Sequence, residues 1–114
     1  MKKIKLIAET AWHHDGDFDF MEELVKDILN KSKLDILKMH VTLDFDEYMH
    51  SSHSMYESFK TKLFSEAQWS ILFDQVLKNK KGLMLLYNDT MAIEFGQKFN
   101  PEYVDIHNAC LNDL

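Results

Sequence analysis

Glu9 and Lys38 are ionisable residues that each stand at or near the end of a short apolar run. The first run holds Ile4, Leu6, Ile7 and Ala8; the second covers residues 34–41, Leu-Asp-Ile-Leu-Lys-Met-His-Val. An acid and an amine carried to one rim of a sheet can hold a small anion and assist proton transfer beside it. Open α/β sheets and α/β barrels place their chemistry at the carboxyl ends of parallel strands, where loops are carried on a rigid core. The loop after Glu9 adds His13, His14, Asp15 and Asp17 to that rim. His50 and His53 have the i, i+3 spacing that suits a transition metal on a helix, but no third ligand accompanies them. Cys110 reads as an unreactive thiol near a strand end.

The elements that would position these residues alternate. The run at 4–8 reads as a strand covered on both faces, because it is almost continuously apolar. Asp17 has the chemistry of a helix N-cap, and Met21, Leu24, Val25, Ile28 and Leu29 follow at helical spacing. The run at 34–41 is a second strand. Strand, helix and strand form a βαβ unit, so the strands should be parallel, the crossover right-handed, and Glu9 and Lys38 on the same rim.

Residues 42–64 form a long connection, acidic at Asp44, Asp46 and Glu47, with room for a turn or two of helix over 55–62. Ser65-Glu66-Ala67-Gln68 is a capping-box pattern, and Trp69, Leu72, Phe73, Val76 and Leu77 follow at helical spacing. Lys78, Lys80 and Lys81 suit the negative end of that helix dipole, and Gly82 is the expected helix stop. A third strand is expected over 83–87 and a short helix capped from residues 88–90. Asn100-Pro101 should close that helix, because the residue before proline resists helical geometry. A fourth strand is expected over 103–106. The whole chain, 1–114, is then a single α/β domain with a parallel βαβαβαβ order, approximately half of a (β/α)8 barrel, since a full barrel takes about 250 residues.

Composition narrows the function classes. With 46% hydrophobic and 12% aromatic residues the chain can build a packed core. A net charge of −6 with no basic face argues against nucleic acid as a partner. No apolar segment approaches the roughly 20 residues that cross a bilayer, so no membrane partner is expected. One cysteine rules out an internal disulfide and fits a reducing cytoplasm.

Ile7-Ala8-Glu9, then His14, Gly16 and Asp17, then a helix and Lys38 near the end of the next strand, resembles the amino-terminal half of the N-acetylneuraminate (sialic acid) synthase family. That family's opening reads Ile-Ala-Glu, a spacer, Asn-His-X-Gly-Asp, and its second strand ends in Lys-X-Gln. The similarity extends weakly over almost the whole chain; the specific motif lies in the first 40 residues. The resemblance implies a TIM barrel that condenses phosphoenolpyruvate with an N-acylated hexose such as N-acetylmannosamine, giving a nonulosonic acid and phosphate. It implies that Lys38 binds phosphoenolpyruvate, that Glu9 is the catalytic carboxylate of the first strand, and that His14 is the motif histidine of the substrate site. Asn88 stands where a Ser-Thr-Pro turn would help hold phosphate. His107, Asn108, Ala109 and Cys110 stand in the register of Gly-Ser-Gly-Glu, so Asn108 is a substrate-binding candidate and Cys110 replaces a catalytic glutamate. His13 replaces the motif asparagine. A divalent metal, Mn or Mg, is expected for the complete family barrel, held by histidines of its second half rather than by this chain.

Three readings follow from the residues: a fragment or divergent member of that enzyme family, inactive as an isolated chain; a non-catalytic relative that keeps the anion and sugar pocket; or an unrelated α/β module. Half a barrel leaves its first and last strands without neighbours, so a homo-oligomer is expected, or a sheet that covers its open face with its own helices.

Overall fold

The computed structural model describes residues 3–107. Its order is β1 (Ile7–Glu9), α1 (Phe18–Lys31), β2 (Ile36–Val41), α2 (Phe45–Tyr48), α3 (Tyr56–Lys60), α4 (Glu66–Lys78), β3 (Gly82–Tyr87), α5 (Thr90–Gly96), a single 3-10 turn (Gln97–Phe99) and β4 (Tyr103–Ile106). The strands form one sheet in the order β1-β2-β3-β4, every pair parallel. Sequential order in an all-parallel sheet is the βαβ crossover repeated in one direction, as in a barrel wall. The α/β expectation holds, and the fold is a partial TIM-barrel-like one.

Local chemistry sets the helix starts. Asp17 accepts from the Phe20 amide at 3.0 Å. Ser65 and Gln68 close the capping box in both directions, the Gln68 amide on Ser65 Oγ at 3.1 Å and the Ser65 amide on Gln68 Oε1 at 2.9 Å. Asp89 caps α5 by accepting from the Ala92 amide at 2.8 Å. Met21, Val25 and Leu29 of α1 and Leu72, Phe73 and Val76 of α4 bury against Leu37, Met39 and Val41 of β2 and Leu83, Leu85 and Tyr87 of β3. One face of the sheet is thereby committed to helices, and strand alternation sends the intervening residues to the other.

Three expectations are corrected. The first strand is not covered on both faces: Leu6 is 55% and Ile7 51% exposed, because β1 is an edge strand whose outer side has no neighbour among the described residues. Gly82 is not the helix stop. Lys80 takes the left-handed conformation at φ 58°, and Gly82 opens β3, where an added Cβ would lie 2.3 Å from Glu102 Oε2. Leu77 leaves the core stripe and is exposed. Asn100 does end its turn, in a left-handed conformation at φ 50°. The connection over 42–64 carries α3 inside the expected stretch and a further turn, α2, that its sequence did not announce.

Candidate functional site

Register brings the candidate residues onto the sheet face away from the helices. Glu9 of β1 pairs with Lys38 of β2, and that row continues through Met84 of β3 to Tyr103 of β4. The next row on the same face holds His40, Leu86 and Asp105. Glu9 Oε1 lies 3.7 Å from Lys38 Nζ and hydrogen-bonds His40 Nε2, while Lys38 Nζ donates to Asp105 Oδ2 at 2.8 Å. The Lys38 side chain is 15% exposed, whereas Glu9 and Asp105 keep about 40% of theirs in solvent. A cation held between two carboxylates, one of them also bonded to an imidazole, is a compact charge cluster on the open face of the sheet. The acid and amine expected on one rim are together, but only Glu9 ends its strand: Lys38 is the third of the six residues of β2, so the pair sits on the sheet face and not at both strand ends.

His40 and Asp105 were not among the candidates. Period two places His40 on the face of Lys38, and it occupies the position that the Lys-X-Gln pattern gives to glutamine; that was the available signal. Asp105 carried none beyond interrupting a short apolar run, since its meeting with Lys38 crosses β3.

The loop between β1 and α1 is shaped by backbone conformations that few residues accept. Ala11, Asp15 and Gly16 have φ of 45°, 51° and 83°, and a Cβ on Gly16 would stand 2.8 Å from the Lys62 Cα. Lys62 clasps the loop through Asp15 at 2.7 Å, and the same ammonium holds the Asp15 carboxyl below its ordinary range. His14 is buried inside the turn. Its Nδ1 accepts the Gly16 amide at 2.9 Å, which places the ring proton on Nε2, and its ring lies 4.3 Å from Phe64 between centroids. Burial pushes the His14 pKa down to about 4, with Lys62 adding to the depression and Asp15 opposing it. His14 is therefore a neutral imidazole at pH 7. Together with Trp12, His40, Thr42, Lys62 and Trp69 it lines a shallow surface depression too tight to hold a water molecule, and His40 links that depression to Glu9.

Asn88 follows β3 and is buried, its Nδ2 donating to Thr42 Oγ1 at 2.8 Å. Beside it Asp89 accepts the Leu43 amide at 2.8 Å as well as capping α5, and burial raises its pKa. Asn108 and Cys110 lie outside the described residues. His50 and His53 lie outside any helix, and each Nδ1 accepts a nearby backbone amide, so the helical i, i+3 arrangement that would suit a metal is not formed. Among the described residues no group of three His, Cys, Asp or Glu side chains could hold a metal ion. The acidic loop residues are engaged locally: Glu47 receives the Thr90 amide and hydroxyl, and Asp46 the Tyr56 hydroxyl. No helix among the described residues is long and apolar enough to cross a membrane.

No protein-family model and no curated protein matches the chain. Solved structures do. The N-acetylneuraminic acid (sialic acid) synthetase of Leptospira borgpetersenii serovar Hardjo-bovis, solved with citrate, matches 98% of this chain with a TM-score of 0.83 at 14% identity. A protein assigned as spore coat polysaccharide biosynthesis protein E of Chromobacterium violaceum ATCC 12472 matches 97% with a TM-score of 0.78 at 17% identity. Spore coat polysaccharide biosynthesis protein spsE of Bacillus subtilis matches 90% with a TM-score of 0.64, also at 17% identity. The chain spans 39%, 36% and 29% of those three chains respectively. Likeness at this level of identity is likeness of fold, and the fold this chain shares with part of the sialic acid synthetase and the spore coat polysaccharide proteins is a partial TIM barrel.

Proposed function

We propose that this chain is a sialic acid synthase-like barrel portion whose β1–β2 rim binds phosphoenolpyruvate, within an enzyme that condenses it with an N-acylated hexose such as N-acetylmannosamine. The observation that carries the reading is the Glu9–Lys38 pair at 3.7 Å on registered positions of parallel strands, with Lys38 mostly withdrawn from solvent. A largely desolvated ammonium attracts a carboxylate or phosphate more strongly than one in bulk water. In the resting chain Asp105 occupies that ammonium, and the substrate anion takes its place. Glu9 and His40, already hydrogen-bonded, form a carboxylate–imidazole couple able to accept or return a proton beside the bound anion. His14 and Gly16 hold the loop that borders them.

The condensation joins C3 of phosphoenolpyruvate to the sugar aldehyde carbon, and water addition releases phosphate. The divalent metal expected for a complete family barrel does not fit the described residues, which group no three ligands and place an ammonium at the centre of their acidic cluster. The isolated chain is expected to bind without turnover, in a cytoplasmic setting, with neither nucleic acid nor membrane as partner.

Calorimetric titration with phosphoenolpyruvate tests this reading. Wild type should bind, and Lys38→Ala should lose at least about tenfold in affinity, the scale of one charge-assisted contact. Binding that is absent from wild type, or equal in Lys38→Ala, refutes the anion site.

A second reading, a non-catalytic relative that keeps the pocket, is favoured by Asn88. Its amide is buried against Thr42 where the resemblance expects a phosphate-holding turn. Turnover of N-acetylmannosamine by a full-length parent protein separates the two.

A further inference from the structure

Two imidazoles, His14 and His40, line the depression beside Glu9, and their contacts are opposite in kind. His14 Nδ1 accepts the Gly16 amide at 2.9 Å, so a proton added to that nitrogen breaks the bond that shapes the loop and arrives near the Lys62 ammonium. That ring is held neutral. His40 is set the other way: its Nε2 bonds Glu9 Oε1, and among the described residues nothing bonds its Nδ1. An ionised carboxylate can only accept, so the ring proton sits on Nε2 and the Nδ1 lone pair is bare. A second proton, on Nδ1, breaks no contact and turns the Glu9 bond into an ion pair. Charged groups approach this ring from every side. Glu9 reaches it from β1, Lys38 stands two residues back on β2, and Asp105 shares its row from β4, with the apolar Leu86 of β3 between them. Lys62 enters from the segment after α3, where it is paired with Asp15 at 2.7 Å. On the open face, two carboxylates therefore surround one ammonium.

We propose that binding of a carboxylate- and phosphate-bearing anion at Lys38 is coupled to uptake of a proton by His40, with Glu9 as the carboxylate that positions the ring. The inference rests on the anion-site reading above and assigns, within it, the group that carries the proton. An anion seated on Lys38 adds negative charge on both its phosphate and its carboxylate to a face where carboxylates already outnumber the ammonium. Like charges a few ångströms apart in a partly desolvated site favour any protonation that offsets them. His14 is closed to that proton by the Gly16 amide, and His40 is open to it. The charged ring keeps Nε2–H on Glu9 and gains Nδ1–H, a second cationic donor close to Lys38. A carboxylate that fixes the tautomer of an imidazole and stabilises its charged form is the arrangement of hydrolytic triads, here without a nucleophile. The proton-carrying role that the resemblance gives to Glu9 thereby passes to its partner.

Two measurements on the whole chain test the coupling. Nitrogen-15 spectra of the imidazoles at pH 8, without ligand, should show His40 protonated on Nε2 and bare on Nδ1, and Glu9→Ala should lose that preference. The opposite tautomer in wild type, or an unchanged one in Glu9→Ala, overturns the role given to Glu9. Calorimetric titration with phosphoenolpyruvate at pH 7.5, in two buffers that differ in heat of ionisation, then counts protons. His40→Gln keeps a neutral hydrogen-bonding side chain and should still bind through Lys38, so it reports the proton changes of the ligand itself. Wild type should take up about half a proton more than that variant. Equal uptake in the two, with binding that still needs Lys38, overturns this proposal and leaves the anion site standing; no binding by wild type, or binding indifferent to Lys38→Ala, overturns both. Should His40→Gln fail to fold, the wild-type spectra replace it. Adding phosphoenolpyruvate at constant pH should move the His40 ring nitrogens towards their protonated positions and leave those of His14 in place, and His40 signals that do not move overturn the proposal.

Discussion

Lys38 of β2 donates across β3 to Asp105 of β4, Nζ to Oδ2 at 2.8 Å, so the ammonium is already satisfied before any ligand arrives. An anion that binds Lys38 has to compete with that carboxylate. Asp105→Asn removes the competing charge, and the affinity for phosphoenolpyruvate should rise by about two- to fivefold, the scale of a partly exposed ion pair. Calorimetry on the variant checks this, and an unchanged or weaker affinity would show that Asp105 does not gate the site.

His14 makes stability depend on pH. Its folded pKa of about 4 lies below the ordinary 6.5, so between those values the unfolded chain binds more protons than the folded one, and stability falls as pH drops. Above pH 6.5 the contribution is complete, and it is lost progressively towards pH 4. At about 1.36 kcal/mol per pH unit the loss is about 2–3 kcal/mol. Urea unfolding at pH 7.5 and 4.5 should show that drop in wild type and a markedly smaller one in His14→Phe. Equal drops in both would remove His14 from the account.

Gly16→Ala should destabilise the fold by about 2–3 kcal/mol. The position has φ of 83°, and the new methyl would meet the Lys62 backbone at 2.8 Å, an atom that cannot rotate away. Because the same loop holds His14, the substitution should also loosen the aromatic contacts among His14, Phe64 and Trp69. A melting temperature within one or two degrees of wild type would contradict the close approach.

Asp89→Ala should cost about 2–3 kcal/mol, because it strands the buried Ala92 amide and the Leu43 amide together. Asp89→Asn keeps a carbonyl acceptor, and burial already disfavours the carboxylate charge, so it should cost less than half as much. Chemical denaturation of both variants compares the two, and similar losses would mean that the charge, not the acceptor geometry, matters.

The sequence alone determined what depends on neighbours a few residues away. Asp17, the Ser65/Gln68 box and the apolar periodicity of α1 and α4 announce their helices, since caps and helical faces involve groups at most one or two turns apart. Four apolar runs separated by helices imply parallel strands through crossover handedness, which is why the Glu9–Lys38 rim was legible. The tertiary structure alone decided the rest. Lys80, not Gly82, takes the left-handed turn after α4, and Gly82 instead opens β3 with the Glu102 carboxylate packed over it from just before β4. His40 meets Glu9, and Asp105 meets Lys38, only once register and curl are set. Those are determined by the summed packing of the helices on one face of the sheet, and no short stretch of residues encodes a contact that crosses an intervening strand.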